Sequence, residues 1–134
     1  MNWEFEERPC DMKKIVFPKV ISLVKRFAGR KPSVLDYGAG RGYLENILYG
    51  QGINNVYSFD RFEKSNRNVH NKLSGLKADV VTCTEVIEHI VDMEKFIEEI
   101  RNNLKDGGYF ILSTPNAQSL GNRIRNLFGM QRLY

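Results

Sequence analysis

Two aspartates, three alternate glycines and one close-set group of two carboxylates and an imidazole are the residues here with chemistry to offer. The run Val34-Leu-Asp-Tyr-Gly-Ala-Gly-Arg-Gly-Tyr-Leu44 places Asp36 two residues before Gly38, with Gly40 and Gly42 at alternate positions beyond. Such glycines let a backbone take positive φ and approach a ligand where a Cβ would collide. A helix opening just behind the bend points unpaired N–H groups at an electron-rich group. The Asp36 carboxylate is expected to face the same crevice and accept from a ligand ammonium or hydroxyl. Asp60 follows about twenty residues past the glycines, at the end of the apolar run 55–59, where a carboxylate can accept both hydroxyls of a ribose. Glu85, Glu88 and His89 are spaced to converge on a single turn. An imidazole there suits proton transfer, and two carboxylates with an imidazole suit Mg²⁺, Mn²⁺ or Zn²⁺. The plainer alternative has Glu88 and His89 capping the next helix.

The glycine spacing narrows the ligand. A dinucleotide fingerprint needs G-x-G-x-x-G, and Tyr43 stands where its third glycine should be. That argues against a tightly held pyrophosphate and so against a nicotinamide-dependent dehydrogenase.

The elements that must position these residues can be read from periodicity. Val20, Ile21, Leu23, Val24 and Phe27 recur with helical spacing over 18–28, after Pro18 and before Gly29, so a helix should cover one face of a sheet. A strand at 33–37, a helix at 42–49 and a strand at 55–59 make a βαβ unit, hence a parallel pair. Fewer than twenty residues join Asp60 to Asp79, which leaves room for a short helix near 64–73 but not for a full helix and a third strand. The β-branched run 78–84 predicts a strand, Asp92 an N-cap, and Met93, Phe96, Ile97, Ile100 and Leu104 the buried stripe of a helix. A turn at 105–108, a strand at 109–113 and a last helix near 120–128 complete the reading.

With 134 residues and a net charge of +4, the chain is one mixed-charge domain. No apolar run approaches the ~20 residues that span a bilayer, and the acidic N-terminus is unlike a secretory signal. Cys10 and Cys83 read as free thiols in a reducing, cytoplasmic setting. Arg123, Arg125 and Arg132 make an acid-free tail that is more simply a solvated helix face than a phosphate-binding surface.

Taken together and in order, three blocks resemble one family over about residues 31–116. VLDYGAGRGYL is similar to motif I of the class I S-adenosylmethionine-dependent methyltransferases. ADVVTCTEVIEHI is similar to the fourth strand and following loop of the ubiquinone-biosynthesis-type O-methyltransferases, and LKDGGYFILSTPN resembles the turn and fifth strand of that group. The resemblance implies an α/β fold, a Rossmann-like, mostly parallel sheet with helices on both faces that lacks the last strands of the full fold. It implies S-adenosyl-L-methionine as cofactor, held at the carboxyl ends of the strands by Asp36, Tyr37, Gly38, Ala39, Gly40, Asp60, Arg61, Thr84 and Glu85. Asp36 and the backbone at 38–40 would face its methionine portion, Asp60 its ribose, and Thr84 with Glu85 the reacting methyl.

The same resemblance implies O-methyl transfer to a small molecule, lipid or glycan precursor, with His89 and Glu88 as the acid/base pair. E-x-x-E-H also resembles the metal ligands of small-RNA 2′-O-methyltransferases, which makes Glu85, Glu88 and His89 a lesser candidate metal set. Those enzymes carry a later histidine, and none follows His89 here. Two rival readings stand beside the enzyme: a non-catalytic cofactor-binding half-domain, and a metal-assisted RNA 2′-O-methyltransferase. The lack of a base-stacking aromatic cluster weighs against nucleic acid. Residues 1–30 are read as an N-terminal segment with a covering helix, 31–116 as the cofactor-binding core, and 117–134 as a basic helix opening a missing acceptor region. An open fifth-strand edge is expected to be met by a shortened gene or by a homodimer that completes the sheet.

Overall fold

The computed structural model describes residues 12–29, 31–63, 68–73, 75 and 77–114. Cys10, the arginine tail and the helix expected near 120–128 lie outside them.

A π-helical turn, Met12–Val16, leads into helix α1, Phe17–Phe27. Strand β1 is Ser33–Tyr37, helix α2 Tyr43–Gly50, and strand β2 Asn55–Phe59. Strand β3 is the pair Val69–His70, and β4 is Ala78–Thr84. A single 3₁₀ turn, Ile87–His89, precedes helix α3, Met93–Asn103, which runs directly into β5, Leu104–Ser113. The five strands form one sheet in the order β3-β2-β1-β4-β5, and every neighbouring pair is parallel. The order reverses between β1 and β4, which puts the natural ligand crevice of an open α/β sheet above their carboxyl ends.

Each face of the sheet has its own core. On one side, Phe17, Val20, Ile21 and Val24 of α1 and Leu44 and Leu48 of α2 pack on Val34, Val80 and Ile111. Leu48 and Val24 are wholly buried, each contributing roughly 1.5–3 kcal/mol over an exposed side chain. On the other side, Phe96 and Ile100 of α3 meet Leu35, Tyr37, Phe59, Val81 and Cys83. Cys83 is a free, buried thiol whose pKa burial pushes up to about 12, so it behaves as a small apolar side chain. At the amino ends of β1 and β4, Asp79 accepts from the Ser33 backbone N–H and hydroxyl at 2.8 and 2.7 Å and from Lys105 at 2.8 Å. The lysine and serine bonds hold its carboxyl down at about 2.

Four expectations need correction. A third strand does exist between Asp60 and β4: two residues suffice, because Ser58 and Phe59 pair with Val69 and His70 at the rim of the sheet. The helix expected near 64–73 is absent at its described positions 68–73. On α3, Phe96 and Ile100 are buried, but Met93 and Ile97 are exposed, since the helix buries only the narrow stripe that meets the sheet. The turn at 105–108 is carried inside β5 as a register shift between the Ala78–Leu104 and Val80–Tyr109 pairs.

Candidate cofactor-binding cleft

A cleft of about 510 Å³ opens at the carboxyl ends of β1, β2 and β4, within the range that holds small ligands. Its wall includes Gly38, Asp60, Arg61, Phe62, Glu85, Val86, His89 and Lys95. Tyr37, Phe59 and Phe96 form an aromatic floor: the Tyr37 ring lies 5.0 Å from Phe59 and 5.3 Å, edge-on, from Phe96. The Tyr37 phenol donates to Glu99 Oε2 at 2.5 Å, and Arg61 Nη2 reaches the same carboxylate at 2.9 and 3.0 Å. Burial, then the glutamate beside it, pushes the Tyr37 phenol well above the ordinary tyrosine range.

Asp60 ties the glycine bend to the second strand. Its Oδ2 accepts from the Gly40 N–H at 2.9 Å, and its Oδ1 accepts from the N–H groups of Phe62 and Glu63 at 2.9 and 3.0 Å. The bend is further held by the Gly38 and Ala39 N–H groups, both donating to the Phe59 carbonyl at 2.7 and 2.9 Å. A carboxylate has about four lone-pair sites, so Asp60 has room for at most one further donor. The sequence reading gave it both ribose hydroxyls. With these three bonds in place one acceptor site stands open.

The glycines divide the work differently from expectation. A Cβ on Gly38 would stand 2.2 Å from Val86 Cγ2, so Gly38 makes room for a side chain of its own protein. Gly40 (φ 53) has nothing within 4 Å of its missing Cβ and is the open part of the bend. Asp36 departs further. It is 1% exposed, accepts from the Thr82 hydroxyl at 3.0 Å and lies outside the cleft wall. Burial first, then the charges of Glu45 and Asp60, push its pKa up to about 7 against the pull of the Thr82 bond. Asp36 is an interior residue beneath the bend and does not face the ligand crevice. Thr84 is likewise buried behind the wall, and Ala39 contributes no cleft surface.

The group after β4 is also split. Glu85 and His89 line the cleft, but Glu88 does not; its Oε2 is buried with no hydrogen-bond partner among the described residues. Glu85, Glu88 and His89 therefore do not converge, and among the described residues no three His, Cys, Asp or Glu side chains group to hold a metal ion. Neither Glu88 nor His89 caps the helix that follows. The N-cap of α3 is Asp92, accepting from the Lys95 N–H at 3.0 Å, while His89 N donates to the Val86 carbonyl. Glu85 is the one non-glycine with positive φ (57°) among the described residues, a conformation costing on the order of 1–3 kcal/mol. Burial, above all, raises the pKa of its carboxyl.

Sequence reasoning did not single out Glu99, Val86, Phe62, Lys95 or Ser113. Glu99 had a signal, since it is a carboxylate set in the apolar stripe of Phe96 and Ile100. Val86 and Ser113 had none, because their places follow only from how β4 and β5 register.

The sheet order, the bend after β1 and the carboxylate ending β2 define a Rossmann-like domain with its cleft at the carboxyl ends of the strands. The comparisons with known proteins narrow this. A family model described as a methyltransferase domain matches residues 12–134, and the chain belongs to that family. It is 31% identical over 103 residues to a ubiquinone biosynthesis O-methyltransferase of Rickettsia canadensis (strain McKiel), covering 64% of this chain and 44% of that protein. A probable S-adenosylmethionine-dependent methyltransferase of Mycolicibacterium smegmatis is 33% identical over 109 residues, covering 70% and 41%. A ubiquinone biosynthesis O-methyltransferase of Hydrogenovibrio crunogenus is 28% identical over 119 residues, covering 74% and 49%. The chain thus spans less than half the length of these relatives. No helix among the described residues is long and apolar enough to cross a membrane.

Proposed function

We propose that this domain binds S-adenosyl-L-methionine in the cleft and serves methyl transfer to an oxygen of a small-molecule acceptor. The observation that carries this reading is the Gly40–Asp60 hydrogen bond, which couples the open part of the bend to a cleft-wall carboxylate with one acceptor site to spare. The residues present suit the cofactor: Gly40 offers backbone without a Cβ, Asp60 an acceptor for a ribose hydroxyl, Glu85 a carboxylate for a cationic group, and the Tyr37–Phe59–Phe96 floor an apolar bed. When bound, the cofactor supplies an electrophilic methyl group.

This chain's own part is alignment and water exclusion, and alignment alone can be worth ~7–11 kcal/mol. His89, in the cleft wall, takes the proton from an acceptor hydroxyl as it attacks. Glu88 has no part in that step, because it lies behind the wall. The relatives' names favour an oxygen acceptor.

Calorimetry with S-adenosylmethionine on the wild type and on Asp60→Ala tests the binding. Micromolar affinity, lost at least tenfold in the variant, is the expected result. A wild-type chain that ignores both the cofactor and its demethylated product would falsify the reading.

A further inference from the structure

We propose that Ser113, at the end of β5, is a positioning residue that fixes Glu85 for contact with a ligand in the cleft. The role rests on the cofactor reading above. Glu85 turns out of β4 in a left-handed conformation that side chains avoid, so something must hold it there. Ser113 grips it twice. Its carbonyl accepts from the Glu85 N–H at 3.1 Å, and its hydroxyl donates to Glu85 Oε1 at 3.0 Å. The register makes this specific: Thr84 pairs with Ser113 as the last rung of the β4–β5 ladder, so Glu85 is the first residue past the sheet, with Ser113 its lateral neighbour.

Both consequences bear on the cleft. The main-chain bond continues the ladder one step and sets the sharp departure that brings Val86 over Gly38 and Glu85 into the cleft wall. The hydroxyl occupies Oε1, so a donor on the ligand is received at Oε2, with the carboxylate plane already chosen. The same bond favours the ionised carboxylate, against burial and the nearby charge of Glu88. A donor-bearing or cationic ligand group, such as an ammonium or sulfonium, is what this arrangement selects.

The test is a thermodynamic cycle on the 134-residue chain with S-adenosylmethionine as the probe, read by calorimetry. Ser113→Val and Ser113→Thr have the same shape and β-propensity and differ in the hydroxyl, so both should fold alike. Ser113→Val is expected to bind about fivefold more weakly than Ser113→Thr, on the order of one typical net hydrogen bond. In a Glu85→Ala background the two should bind equally, because the hydroxyl acts through Glu85. Equal affinities in the Glu85 background of the wild type would overturn the proposal. A Val/Thr difference that persists in Glu85→Ala would overturn it too, since Ser113 would then be acting on the fold. A wild type that does not bind at all sinks the cofactor reading itself, and this role with it.

Discussion

Val86 fills the space that a side chain on Gly38 would need: a Cβ there would stand 2.2 Å from Val86 Cγ2 and 3.2 Å from Val86 Cβ. Valine is stiff at χ1 and cannot swing its methyls clear. The first glycine of the bend therefore lines the cleft while packing the bend against the loop after β4, and the second has open space where its Cβ would stand. Gly38→Ala should lower stability by roughly 2–4 kcal/mol in urea unfolding, combining positive-φ strain with overpacking. Adding Val86→Ala should recover the overpacking share and leave the strain. Gly40→Ala carries strain alone, about 1–2 kcal/mol, and should weaken cofactor binding more than it weakens the fold. Equal unfolding costs at the two glycines would contradict this division.

The single spare acceptor site on Asp60 predicts unequal treatment of the two ribose hydroxyls. A carboxylate gripping both would lose affinity for the 2′-deoxy and the 3′-deoxy analogues of the cofactor alike. With three backbone N–H groups already on Asp60, one analogue should bind about 10- to 100-fold more weakly and the other nearly as well as the parent. Competition calorimetry with the two analogues decides it, and matched losses would mean that the Gly40 or loop N–H groups let go when ligand arrives.

Much of this arrangement is legible in the sequence because it is local. The strands at 33–37, 55–59 and 78–84 follow from short β-branched or apolar runs bounded by turn residues, and Asp92 as an N-cap follows from its place before the stripe of α3. Asp60 and Glu85 could be placed because each lies just past the end of a strand. What could not be read is which way a side chain points once its strand is buried on both faces. Asp36 is the immediate neighbour of the cleft-lining Tyr37 but projects into the interior toward Thr82, since successive residues of a strand face opposite sides. The third strand escaped because two residues of pairing leave no periodicity to detect.

Glu99 joins α3 to both halves of the cleft floor by accepting from Tyr37 and Arg61. Arg61 is about half exposed, so its ion pair contributes at most about 1 kcal/mol. The Tyr37 bond is sheltered and is the stronger tie. Glu99→Gln should leave Tyr37 with an acceptor but release Arg61, costing under about 1 kcal/mol, while Glu99→Leu strands the phenol and should cost about 1–3 kcal/mol. Because burial and Glu99 both resist its ionisation, Tyr37 should be the last tyrosine of the core to titrate by ultraviolet absorbance. In Glu99→Gln it should titrate earlier, and an unchanged titration curve would show that the glutamate charge does not reach the phenol.

Burial of Asp36 should make the fold less stable as the pH rises. Its pKa rises from 3.8 to about 7 on folding, chiefly because its charged form is cut off from water. For an acid raised in this way the folded state favours the proton. Below pH 3.8 both states are protonated and the full benefit is present. As the pH climbs the unfolded chain ionises first, and stability falls steadily until the folded carboxyl also ionises near pH 7. Above that the loss is complete, on the order of 4 kcal/mol. Asp36→Asn keeps an oxygen for the Thr82 hydroxyl and carries no charge to bury. Its stability should decline less over this window than the wild type's, so that the variant is the more stable protein at pH 8 and the two differ far less at pH 4. Urea unfolding of both proteins at pH 4, 6 and 8 measures the divergence; parallel profiles would mean that Asp36 reaches water or a counter-charge, and that the interior beneath the glycine bend is wetter than its packing indicates.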